Sequence, residues 1–72
     1  LDILGENHPA VAGIYFNIGC TYYRQGDYVR ALEYFEKTLG IRLRYFDENH
    51  PDVKRVKENI EDVKGKMAGE KQ

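Results

Sequence analysis

The chain repeats itself. Glu6-Asn7-His8-Pro9 returns as Glu48-Asn49-His50-Pro51, 42 positions later. The same offset pairs Val11 with Val53, Ile14 with Val56, Asn17 with Asn59, Ile18 with Ile60 and Leu1 with Leu43. Between residues 6–18 and 48–60, seven positions of thirteen are identical. A period near 40 residues belongs to helical solenoids or propeller blades, in which each unit buries its apolar face on a neighbour. The spacing inside the unit must choose between them.

It chooses helices. Pro9 and Pro51 both suit a first helical turn, where the missing N–H has no partner to lose and φ is already helical. No alternation of apolar and polar residues runs long enough for a strand. From Val11 the apolar positions are Val11, Ile14, Tyr15, Ile18 and Tyr22, with Phe16, Cys20 and Tyr23 on a second side. Gly26 suits a left-handed helix end and Asp27 the cap of the next helix. That second helix, 28–46, carries Tyr28, Ala31, Leu32, Phe35, Leu39 and Leu43 on one face, with Glu33 and Lys37 placed to pair on the other. Gly40 lies within it, at a cost of about 1 kcal/mol relative to Ala.

The third helix, 51–67, keeps one narrow stripe: Val53, Val56, Ile60, Val63 and Met67. Its remaining positions are charged or polar, and residues 68–72 are expected to fray into a polar tail. A helix apolar on one side only suits the end of a solenoid. Leu1-Asp2-Ile3-Leu4 aligns with Leu43-Arg44-Tyr45-Phe46, the end of the second helix. Residues 1–4 therefore read as the end of a preceding repeat in a longer array, 5–46 as a complete unit and 47–67 as a capping half repeat. The surface that such a preceding repeat would cover, including parts of Ile14, Phe16 and Tyr23, is expected to be exposed. Small repeat fragments pair or swap through such surfaces, so homo-oligomerisation of the isolated fragment stays open.

Composition removes several functions. Lys and Arg number 11 against 12 Asp and Glu, a net charge of −1, so no global field favours nucleic acid or anionic lipid. No apolar run reaches the length of a membrane span, and the first residues lack the pattern of a signal peptide. The one cysteine, Cys20, builds no internal disulfide, which favours a reducing, cytoplasmic setting. A chain of 72 residues has room for one small core and no large catalytic cleft.

Tyr15-x-x-Ile18-Gly19-x-x-Tyr22 followed by Gly26-x-Tyr28-x-x-Ala31-x-x-x-Phe35 resembles the tetratricopeptide repeat. Gly19 would let the two helices approach, Ala31 would fill their crossing, and Tyr22 and Phe35 would pack around it. The common repeat has about 34 residues; this longer unit, with its Glu-Asn-His-Pro-x-Val linker, resembles the repeats of kinesin light chains. Thr38 and Gly40 depart from the pattern, and residues 61–67 lack its Gly and Tyr. The resemblance implies an all-α fold: about one and a half antiparallel helix-turn-helix units of a right-handed solenoid. It also implies a noncatalytic module that binds a peptide segment or partner helix on the concave face. Carried over position by position, that face holds Gly13, Phe16, Asn17, Cys20, Tyr23 and Arg24. From the third helix it holds Arg55, Glu58, Asn59, Asp62 and Lys66. Of these, Phe16, Asn17, Cys20, Tyr23, Arg24, Arg55, Asn59 and Lys66 are the expected peptide-binding residues. Repeats that clamp a chaperone's C-terminal carboxylate have Lys and Asn where this chain has Phe16 and Cys20, so that clamp is not expected.

Other chemistries have weaker support. His8 and His50 recur, but 42 residues apart and each before a helix-starting proline, which favours capping over a metal site. Cys20 has no base near it in sequence, which favours packing over catalysis. Glu58 and Asp62 sit among Lys54, Lys57 and Lys66, the composition of a solvated face rather than an acid/base pair. The basic residues of the third helix alternate with acids, unlike a nucleic-acid patch. No cofactor and no metal is expected. For Asn17 and Asn59 two roles compete, contact with a ligand and hydrogen bonding between adjacent repeats.

Overall fold

The repeated His-Pro pair starts both odd-numbered helices in the same way. In the computed structural model, which describes residues 8–70, helix α1 spans Pro9–Gln25, α2 Tyr28–Tyr45 and α3 Pro51–Glu70. His8 Nδ1 accepts the Ala10 N–H at 3.1 Å, and His50 Nδ1 accepts the Asp52 N–H at 3.1 Å. Each imidazole thus satisfies an orphan donor of the first turn, a task more often given to Ser, Thr, Asp or Asn. Acting as acceptor through Nδ1 leaves the ring proton on Nε2. The Phe46 ring stacks on His50 with centroids 4.0 Å apart, which holds the second imidazole in place.

Between α1 and α2 the chain turns as its sequence dictates. Gly26 takes φ 83°, the left-handed conformation that favours glycine. Its N–H reaches the Tyr23 carbonyl and the Asp27 N–H reaches Tyr22, the paired bonds of a Schellman ending. Asp27 Oδ1 then accepts from the Arg30 N–H at 3.2 Å and caps α2.

α2 lies between the other two helices and packs against both. The described residues extend 42 × 30 × 14 Å. A helix with its side chains is about 10–12 Å across, so this slab buries residues only along its helix seams. Ala31, Phe35, Val56, Ile60 and Val63 form the central cluster, and Val53 is also buried. Gly19 meets the Phe35 ring: a Cβ there would lie 2.8 Å from two of its carbons. The close approach expected of Gly19 is real, and the ring of Phe35 is what needs it.

Several expectations need correction. α2 ends at Tyr45 rather than 46, where the extended Phe46 donates its N–H to Arg42 at 2.8 Å. α3 continues to Glu70, so residues 68–70 are helical and not frayed; residues 1–7 and 71–72, including the expected end of a preceding repeat, lie outside the described residues. On α2, Leu43 is 43% exposed while Ile41 is buried. Thr38 is fully buried: its hydroxyl donates to the Tyr34 carbonyl at 2.8 Å and reaches Ala12 of α1 at 3.4 Å. A small residue able to satisfy its own hydroxyl is what the α1–α2 seam accommodates. Lys37 does not turn to Glu33; its ammonium lies 5.4 Å from the ring centres of both Tyr15 and Tyr34. Two aromatic faces hold the cation there in place of an exposed carboxylate.

Ile14, expected at a surface open to a neighbour, is 52% exposed. Phe16 and Tyr23, expected to share that surface, are half-buried within the chain instead. The Phe16 ring packs against Phe35 at 5.7 Å, with the Arg42 guanidinium 5.1 Å from its centre. Tyr23 packs against Tyr28 at 5.5 Å.

Candidate functional site

α1 and α3 are equivalent parts of successive units, and the space between them forms a concavity. It is a cleft of about 220 Å³ lined by Cys20, Tyr23 and Arg24 of α1, Asn59 and Asp62 of α3, and Phe35 of α2. Phe35 is the buried apolar floor that α2 supplies. Asn59 and Cys20 are half-buried, and Arg24 is exposed. The walls offer an amide that can donate and accept, a guanidinium with five donors and a carboxylate.

One bond joins the two walls. The Tyr23 hydroxyl donates to Asp62 Oδ2 at 2.5 Å, from residue 23 of α1 to residue 62 of α3. A phenol that donates to a carboxylate resists ionisation, because losing its proton breaks the bond and sets two anions side by side. This hydrogen bond, partial desolvation of the ring and the negative charge of Asp62 push the Tyr23 phenol from 10.0 up to about 12.

Of the eight expected peptide-binding residues, Cys20, Tyr23, Arg24 and Asn59 line the cleft. The other four are elsewhere. Phe16 packs between Phe35 and Arg42, while Asn17, Arg55 and Lys66 are exposed outside the cleft. The 42-residue correspondence explains two of these. Asn17 is the counterpart of Asn59, so it sits on the flank that α1 turns away from α3. Lys66 is the counterpart of Arg24, on the flank that α3 turns away from α1. A single cleft takes one flank from each helix, whereas the carried-over positions name both flanks of both.

Two side chains, Asp62 at the cleft and Arg42 beside it, tie helices together in ways that the repeat pattern does not show. Asp62, expected with Glu58 on a solvated face, accepts the bond from Tyr23 across 39 residues, one helical turn short of the period. Cys20 and Asn59 keep the same separation one turn earlier, so pairs at the period minus three mark the facing walls. Arg42 carried no expectation. Its Nη1 donates to the Asp52 carbonyl at 3.1 Å and thereby ties the end of α2 to the start of α3. Among the described residues no group of three His, Cys, Asp or Glu is placed to hold a metal ion. None of the described helices is long and apolar enough to cross a membrane.

Stacked helix pairs with a cleft between equivalent helices define a helical-repeat protein, a class that works through the surfaces its repeats present. The family is more specific. The model of the tetratricopeptide repeat matches residues 11–52, one whole period and more than half of the 72 residues, and the chain belongs to that family. No curated protein and no solved structure matches the chain. Tetratricopeptide repeats mediate protein–protein interaction and are in general noncatalytic.

Proposed function

We propose that this chain is a noncatalytic, cytoplasmic interaction module of the kinesin-light-chain type. It holds a peptide segment or partner helix in the cleft between α1 and α3, and takes neither nucleic acid nor membrane as its partner. The observation that carries this reading is the composition of the cleft: an apolar floor at Phe35 beneath polar walls from two equivalent helices. The Asn59 amide suits a peptide backbone, the floor suits an apolar side chain, and Arg24 suits an acceptor on the ligand. Selection of a displayed peptide library on the chain tests it. Peptides enriched by the wild type should lose binding to Asn59→Ala and to Arg24→Glu and keep it to Lys54→Ala. Enriched peptides that bind all four proteins equally would refute it.

A second reading, a structural cap for a longer array, draws on a different observation. The α1 positions beside α2, namely Ala12, Tyr15, Gly19 and Tyr22, correspond in α3 to Lys54, Lys57, Glu61 and Lys64. Charged residues at those positions would make a following helix costly to dock. The two roles use different faces of α3, so charge-neutral replacements at Lys54, Lys57 and Lys64 should alter self-association and leave peptide selection unchanged. Selection lost with those replacements, or self-association unaffected by them, would count against a separate cap.

A further inference from the structure

α1 and α3 each pack along α2 but touch one another little. Other polar ties between helices run through α2: Thr38 to the Ala12 carbonyl, and Arg42 to the Asp52 carbonyl. Among the described residues, Tyr23 to Asp62 is the side-chain hydrogen bond that joins α1 directly to α3. Both of its residues line the cleft. One helical turn earlier on each wall, Cys20 and Asn59 line it without such a bond between them.

We propose that Tyr23 and Asp62 form a latch that sets the width of the cleft, so that a bulky group reaches Cys20 and the Phe35 floor only when the latch opens. A bond between otherwise weakly coupled walls limits how far they can part. Its hydroxyl end lies at the surface, where water can take over both partners, so opening needs no rearrangement of the core. Released, the Asp62 carboxylate becomes an acceptor inside the widened cleft, available to a donor on the entering ligand. The latch rests on the peptide-binding reading for what it admits, but it can be tested without any ligand.

Cys20 is the only cysteine in the chain and lines the cleft, so its alkylation reports access. The measurement compares its rate with fluorescein maleimide, a bulky reagent, to its rate with iodoacetamide, a small one. The ratio cancels any effect of a variant on the thiol that both reagents share. Tyr23→Phe keeps the ring and removes only the hydroxyl. Each single variant should raise the bulky-to-small ratio about threefold to tenfold, the scale of one lost hydrogen bond. The double variant should add nothing further, because both changes break the same bond. An unchanged ratio in both single variants, or increases that multiply in the double variant, would overturn the latch. So would an increase accompanied by loss of helical circular dichroism in both single variants, since access would then come from unfolding. Failure of the peptide selection with these ratios as expected would leave the latch standing and remove the binding reading alone.

Discussion

α1 and α3 begin alike and end in different circumstances. Both start with a proline, an imidazole cap behind it and valine two residues on. α1 then sets its four aromatic residues, Tyr15, Phe16, Tyr22 and Tyr23, along the side that meets α2, and only Ala12 and Gly19 are buried in it. α3 concentrates its burial in Val53, Val56, Ile60 and Val63 and leaves the rest of its surface charged. Equivalent positions therefore carry different energetic weight. Val56 is fully buried against the cluster around Phe35, while its counterpart Ile14 is half exposed. The apolar pattern marks the positions where a repeat can dock; a neighbour decides whether docking contributes to stability.

Aspartate at the two equivalent positions should separate the two helices most strongly. Val56→Asp buries an unpaired charge in the seam and should cost about 4 kcal/mol or more, enough to unfold a domain this small. Ile14→Asp should stay within about 0.5 kcal/mol of the wild type. Urea denaturation followed by circular dichroism measures both, and equal losses would show that Ile14 is covered in solution.

A smaller contrast lies one face away. Gly19→Ala pushes a methyl into the Phe35 ring and should cost about 1–3 kcal/mol. Its counterpart Glu61→Ala, on an exposed surface, should fall within about 0.5 kcal/mol of zero. Gly40→Ala should go the other way. A Cβ at Gly40 meets nothing within 4 Å, so the variant should gain about 1 kcal/mol from helix propensity. A loss there would mean that the open face of α2 is occupied in solution.

The smallest expected effect concerns pH. The folded-state pKa of Tyr23 is raised, so the folded chain holds this proton more tightly than the unfolded one. Its stabilising contribution is present in full below the unfolded value of 10.0 and is lost as pH rises towards about 12. Ultraviolet difference titration should show the Tyr23 phenol ionising at about 12, and Asp62→Asn should bring it down towards 10.0. A titration that Asp62→Asn leaves unchanged would contradict the wall-to-wall bond.

The helix starts, the turn between α1 and α2 and the class of fold were legible because local chemistry fixes them. Gly26 and Asp27 end one helix and cap the next whatever surrounds them, and His-Pro starts a helix at both of its occurrences. The buried face of α2 was less legible. Leu43 follows Phe35 by two steps of four residues, which carries it about 80° around a helix of 3.6 residues per turn. Packing on both α1 and α3 moves the buried arc the opposite way, to Thr38 and Ile41, and only the positions of both neighbours reveal that. The cleft was legible by half. Family positions identify which residues face the concave side, but a cleft needs one flank from each helix, and that choice depends on the pairing across 39 residues. The seat of Lys37 between Tyr15 and Tyr34 was hidden for a similar reason, since its helix neighbour Glu33 offered a simpler partner.

Binding of a partner segment in the cleft between α1 and α3 is the proposal on which the function rests. Nuclear magnetic resonance of the chain with a peptide from the library selection tests it most directly. The largest amide and side-chain shifts should fall at Cys20, Tyr23, Arg24, Asn59 and Asp62, with Val29, Lys54 and Lys64 unmoved. Shifts centred on Ile14 or on the charged side of α3, with the cleft residues still, would contradict it.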